Sequence, residues 1–393
     1  MKQFSKYQKI ILLLSFICSL LVSNLANALA GPLSTSGNQI IAADASVVRL
    51  QGVSWFGFES SNFVPHGLWT RSYRSMMDQM QALGFNTIRI PFCNQMFDAD
   101  SKPNSINEWA NPALVGLNSL QVLDKIVEYA DQIGIWIILD HHRSDAGMGA
   151  LNNGLWHTDA YPESRFIQDW QMLAERYRDH PSVIGADLHN EPHAGASWGT
   201  GDQKTDWRAA AERTGNAILK VNPDWLIIVE GIEFYKDKNY WWGGNLAGVK
   251  DHPIVLDVDN KLVYSPHDYP NSIYNQPWFS DSNYPHNLPN HFRNAWGYIF
   301  ETEHAPVIIG EFGSRFHDSK DVKWMDKITA YLNGDFTGTG HLELPATAQG
   351  ASWIWWSWNP NSGDTGGILL DDWMTPDQTK LQFLKPLMTH PHP

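Results

Sequence analysis

The chain has 393 residues with 42 acidic against 28 basic side chains, a formal charge of −14. That balance points away from nucleic acid as a partner, and two cysteines are too few for a disulfide framework. Stability must come from a large core, which a chain this long can bury; 19 Trp beside 13 Tyr and 17 Phe raise the expectation of a sugar ligand, because aromatic faces hold the C–H faces of sugar rings.

Lys2, Lys6 and Lys9 lead into an apolar run over 10–22 and then into Ala26, Ala28 and Ala30, the pattern of a secretory signal peptide cleaved near Ala30. The run is shorter than the ~20 residues that span a bilayer, and no later stretch stays uncharged long enough. The mature protein is therefore expected to be soluble, free of the membrane and exported, either extracellular or periplasmic in transit. Ile17 before Cys18 argues against a lipoprotein, which needs a small residue there. Cleavage removes three lysines and no acid, so the formal charge becomes −17 and Cys93 remains the lone cysteine.

After a lead-in over 31–45, short apolar runs alternate with stretches of helical period, the βαβα signature of a parallel sheet. The runs fall at 50–58, 85–92, 135–142, 183–191, 225–231, 261–269, 306–314 and 350–358. Among the helical stretches, "SLQVLDKIVEYADQIG" (119–134) sets Leu120, Leu123, Val127, Ala130 and Ile133 on one stripe and ends at Gly134. Another, "TDWRAAAERTGNAILKVNP" (205–223), opens on a Thr205 cap and closes before Pro223. Eight such units predict a (β/α)8 TIM barrel, one catalytic domain over 31–393, with its site at the carboxyl ends of the strands. The alternative is a doubly wound open sheet, and the missing Gly-rich nucleotide fingerprint after the first strand counts against it. The loop over 98–116 is long enough to build part of a rim.

The strand ends carry a polar and aromatic set. Strand two ends at Arg89, strand three at Asp140, His141 and His142, and strand four at His189, Asn190 and Glu191. Strand six ends in His267, Asp268 and Tyr269, strand seven in Glu311, and strand eight in Trp355, Trp356 and Trp358. Two carboxylates facing one cavity are what glycoside hydrolysis needs, one as proton donor and one as nucleophile or base. Their environments must split their pKa values, and Arg89 and Tyr269 are placed to keep one of them ionised.

The stretch "DLHNEPH" (187–193) resembles at first the HExxH of a zinc protease. Asn190 intervenes between the first histidine and the glutamate, and Pro192 pushes Glu191 out of the helical region, so His189 and His193 cannot share one helical face. Glu191 is expected to stand extended at its strand end.

"NTIRIPF", "LDHH", "DLHNEPH", "YSPHDYP" and "VIIGEFGS" resemble, in their order along the chain, the motifs of glycoside hydrolase family 5. With "GFESSNFVPHGLW", "VNPDWLIIVE", "YWWGGNL" and "WSWNPNSGDTGGIL" the chain is similar to the secreted bacterial endo-β-1,4-glucanases of that family over nearly its whole mature length. The resemblance implies a cofactor-free, retaining double displacement on a β-glucan chain, with Glu191 as acid/base and Glu311 as nucleophile. It implies that Asn190 binds the sugar 2-hydroxyl, that Arg89 and Tyr269 orient Glu311, that His267 lines the site near Glu191, and that Trp356 floors the subsite beside the cut. His142 matches the family's Asp-x-His pattern, and period-two alternation agrees by placing Asp140 and His142 on one face and His141 on the other. Trp69 and either Trp241 or Trp242 are candidate platforms for more distant sugars; Trp355 and Trp358 read equally as core or lid.

The sequence departs from its relatives at Ser60 and Ser61, where they carry disulfide-forming cysteines, which bears on heat resistance and not on catalysis. Rival readings are the same mechanism on mannan, xyloglucan or mixed-linkage glucan, a non-catalytic glycan-binding barrel, and a metal hydrolase built on Asp140, His141, His142, His189 and His193. No metal is expected, and the chain is expected to act as a monomer.

Overall fold

The structure, a computed structural model, describes residues 31–388; the signal-peptide reading of 1–30 lies outside them. The lead-in is a small antiparallel sheet of β1 (Ser34–Ser36), β2 (Gln39–Ile41) and β3 (Val47–Val48). Each of the eight apolar runs then contributes one strand: β4 (Gln51–Ser54), β5 (Thr87–Cys93), β6 (Trp136–Arg143), β7 (Val183–Asp187) and β8 (Leu226–Glu230). A two-residue hairpin, β9 (Phe234–Tyr235) and β10 (Lys238–Asn239), precedes β11 (Leu262–Ser265), β12 (Ile308–Phe312) and β13 (Ser352–Trp355). The large sheet is parallel throughout, in the order β11-β8-β7-β6-β5-β4-β13-β12. Parallel bridges Tyr264↔Val307 and His267↔Glu311 join its two edges into a ring, which rules out the open sheet.

Alternation along the strands sorts the side chains. On β6 and β8, Trp136, Ile138, Leu226 and Ile228 point inward and meet Ile184, Val263, Ile308 and Ile354 in a core inside the barrel. Leu33, Ile40, Ala42 and Leu50 of the lead-in close its lower end. The intervening Ile137, Leu139, Ile227, Val229, Trp353 and Trp355 join the larger core beneath the helices. Higher up the same inward parity turns polar and delivers Arg89, Asp140, His142 and Glu230 to the mouth.

The outer helices include α1 (Tyr73–Ala82), α2 (Ser119–Ile133), α3 (Glu163–Arg176) and α4 (Trp207–Val221). In α2 the Asn118 side chain accepts from Gln121 N, and Gly134 ends the helix at φ 72°. Its buried face is Val122, Leu123, Ile126, Val127 and Ala130, whereas Leu120 and Ile133 lie at the half-buried edges of the expected stripe. The cap of α4 is Asp206, not Thr205. A carboxylate has more acceptor sites than a hydroxyl, and this one takes Ala209 N at 3.3 Å together with Gly199 N and Gly201 N at 2.9 and 2.7 Å.

Candidate active site

Arg89 is the hub. Its Nη1 lies 2.6 Å from Glu311 Oε1 and 3.1 Å from Asp140 Oδ2, its Nε 2.8 Å from Asp187 Oδ2, and its Nη2 3.0 Å from Asn190 Oδ1 and 3.2 Å from Glu230 Oε1. The side chain is 1% exposed, and a charge so buried persists only when fully paired. Burial pulls the guanidinium down, yet the surrounding carboxylates hold it well above its ordinary value.

Glu311 accepts from the Tyr269 hydroxyl at 2.7 Å on the oxygen that Arg89 leaves free. Burial pushes its carboxyl up, but His267, Arg89, His142 and the tyrosine hydroxyl outweigh that and hold it below its ordinary value. Tyr269 itself is driven well above ten by burial and by the Glu311 charge, so it stays a donor. Across the mouth, His267 Nδ1 donates to Glu191 Oε1 at 3.1 Å and lies 3.6 Å from Glu311 Oε2. Burial pulls the imidazole down, but Glu230, Glu311 and Glu191 raise it well above the usual histidine value. One ligand atom from each of Glu191, His267 and Glu311 falls within 4.8 Å of the others, and among the described residues this is the group whose atoms converge closely enough to hold a metal ion. It is equally a pair of carboxyls bridged by an imidazolium.

Glu191 is not extended. Its φ is +53°, in the left-handed region, where a non-glycine residue stores strain of order 1–3 kcal/mol. Pro192 excludes the right-handed helix, as the sequence required, but tertiary bonds choose the alternative. Glu191 N–H donates to Glu230 Oε2 at 2.7 Å, Gly243 N–H reaches Pro192 O at 3.3 Å, and His193 Nδ1 donates to the Glu191 carbonyl at 2.7 Å.

The remaining candidates divide by wall. Asn190 Oδ1 is committed to Arg89, which leaves its amide N–H groups as the donors it can offer. His142 Nδ1 donates to Asp140 Oδ2 at 2.7 Å, and its ring stacks on Trp356 with centroids 5.4 Å apart and planes at 7°. Trp356 also lies near-parallel to Phe56 at 5.4 Å, and the Trp356–Ser357 peptide is cis. Trp69 (38% exposed) and Trp242 (44%) stand at the surface, while Trp241, Trp355 and Trp358 are core. His66, whose value burial lowers to about 4, packs beside Trp69 as a neutral ring. His141 and His189 face outward, joined Nδ1 to Nδ1 at 3.0 Å among Phe92, Phe166 and Trp207. The metal set of five is thus split between the two faces of the barrel wall.

Three buried carboxylates escaped the sequence reading. Glu230 ends β8 with the inward parity of Leu226 and Ile228, so alternation could have flagged it, whereas Asp187 turns inward only because the β6–β7 register shifts and moves it off the parity of Ile184. Burial raises each of them, Asp187 well above the carboxylate range, against the pull of Arg89 and His267. Glu59 accepts from Gly57 N at 2.6 Å, and burial pushes it up to about 7. It sits beside Ser60, whose hydroxyl donates to Gly57 O at 2.7 Å.

A family model described as cellulase (glycosyl hydrolase family 5) matches residues 43–362. An endoglucanase of Paenibacillus polymyxa is 49% identical over 93% of this chain and 89% of its own length. The major extracellular endoglucanase of Xanthomonas campestris pv. campestris is 41% identical over 90% of this chain and 70% of its own. Among solved structures, the catalytic domain of the major Xanthomonas campestris endoglucanase gives a TM-score of 0.82 at 40% identity, covering 91% of this chain and all of that one. An endocellulase from Pyrococcus horikoshii, solved with cellotetraose, gives 0.82 at 40% identity over 92% of this chain and all of its own.

Proposed function

This chain belongs to the cellulase family, glycosyl hydrolase family 5, and from that premise we propose that it is an exported, retaining endo-β-1,4-glucanase cutting internal bonds of cellulose and related β-glucans. The observation that carries the mechanism is the contrast between two close carboxyls. Glu311 is held ionised by Arg89, Tyr269 and two histidines, while Glu191 meets it across His267 with ligand atoms within 4.8 Å. Retention calls for carboxyls about 5–5.5 Å apart, and inversion for 6.5 Å or more to admit a water.

In the first step Glu311 attacks the anomeric carbon as the Glu191 proton passes to the leaving glycosidic oxygen, giving a glycosyl ester on Glu311 and a Glu191 carboxylate. In the second, Glu191 takes a proton from water, whose oxygen attacks the same carbon and expels Glu311. Asn190 donates to the 2-hydroxyl of the reacting sugar. Arg89 and Tyr269 hold the nucleophile, His142 fixes the Trp356 floor, and Trp69 and Trp242 receive sugars farther along the cleft. The protein acts as a single chain, one barrel domain after removal of the leader 1–30, and no step requires a cofactor.

Incubation with a panel of β-linked polysaccharides tests this reading. Carboxymethylcellulose or mixed-linkage β-glucan should be cut with the β-anomer formed first. Cleavage of mannan alone would refute the substrate, and an α-anomer first product would refute retention.

A further inference from the structure

The buried carboxylate of Glu230, which the two-carboxyl mechanism does not use, touches three parts of the site at once, through hydrogen bonds to Glu191 and Arg89 and a charge contact with His267. Oε2 accepts the Glu191 backbone N–H at 2.7 Å, and Oε1 lies 3.2 Å from both His267 Nε2 and Arg89 Nη2. Its own backbone is pinned as well, since Trp207 Nε1 from α4 donates to Glu230 O at 2.9 Å. The space around Oε2 is preserved by Gly243, at φ +67°, where an added Cβ would overlap that oxygen and press on the Glu191 Cα.

We propose that Glu230 is a positioning residue for proton transfer. One oxygen locks the left-handed backbone of Glu191, and the other fixes the His267 ring so that its Nδ1–H points at the Glu191 carboxyl. The charged groups facing Glu230 are Arg89 from β5, Asp140 from β6, Asp187 from β7, Glu191 beyond it and His267 beyond β11, with Glu311 of β12 reached through His267. Without the lock, the strained φ at Glu191 keeps only the His193 bond to its carbonyl and the Gly243 bond to Pro192, and it relaxes. The acid/base carboxyl then swings away from the leaving oxygen, and a misplacement of about 1 Å is enough to cost up to ~100-fold in rate.

The proposal rests on Glu191 being the acid/base, and leaving-group dependence separates the two ideas. Values of kcat/KM would be measured for phenyl β-cellobioside, whose departure needs a proton, and for 2,4-dinitrophenyl β-cellobioside, which leaves without one. Glu230→Gln keeps the shape but leaves a single acceptor oxygen, so the Glu191 N–H and His267 cannot both be held; it should fall about 10- to 100-fold on the phenyl substrate and no more than about threefold on the dinitrophenyl one. Gly243→Ala, which displaces Oε2 from outside while sparing every charge, should give the same asymmetry and serves if Glu230→Gln does not fold. Equal losses on both substrates, or no loss on either, would overturn the positioning role. If Glu191→Gln itself shows no leaving-group dependence, the acid/base reading is what has failed, and this proposal falls with it.

Discussion

His193 lies flat on Trp242, ring centroids 3.8 Å apart and planes at 7°. The same imidazole donates to the Glu191 carbonyl, so an exposed aromatic surface and the backbone of the proposed acid/base share one support. Trp242→Ala should raise KM on carboxymethylcellulose about three- to tenfold with kcat nearly unchanged, the loss of one stacked sugar at roughly 1 kcal/mol. His193→Ala should lower kcat as well, because it also frees Glu191. Steady-state kinetics on the polymer distinguish the two patterns.

Glu311→Gln removes the attacking oxyanion and should cut reducing-sugar release from carboxymethylcellulose by more than about a thousandfold. Survival within a factor of ten would mean that another group is the nucleophile.

Tyr269→Phe deletes a hydroxyl whose bond favours the ionised form of Glu311. Its removal lets the folded-state value of Glu311 rise, so the acidic limb of the kcat/KM profile should move to higher pH, with kcat down about tenfold at its optimum. An unmoved acidic limb would contradict the account.

Glu59 gives a stability prediction with a definite sign. Its folded value, about 7, lies above the ordinary 4.5, so the folded state binds the proton more tightly. Its contribution is present below pH 4.5 and is lost as pH rises to 7. Glu59→Gln, which still offers Gly57 an acceptor, should gain stability on the wild type across that window, on the order of 1–3 kcal/mol. Urea unfolding at pH 4.5 and pH 8 measures the difference, and a gap that does not widen with pH would refute the assignment.

The barrel could be read from sequence because eight apolar runs alternate with helical stretches, and pairing of their strands closes the ring despite register shifts between β5 and β6, β6 and β7, and β12 and β13. That Arg89, Glu191 and Glu311 meet at one mouth was legible because each ends such a run. Glu230 ends one too, yet its value depends on a backbone amide 39 residues earlier, which no local pattern reveals. The same bond explains the error over Glu191. A proline restricts the preceding residue but does not select among what remains, and here a partner on the next strand selected. Asp206 displaced Thr205 as the α4 cap for a similar reason, since Oδ1 serves Gly199 beside the helix and Gly201 needed the second oxygen.

The bridge between His267 and Glu311 is the topmost rung of the seam where β11 meets β12, with Asp268 N–H on Glu311 O at 3.1 Å. The cylinder is thus buckled with its own working parts. Warming that loosens this clasp by a fraction of an ångström would misalign the proposed nucleophile long before the rest of the hoop let go, so turnover should fade at a lower temperature than the fold.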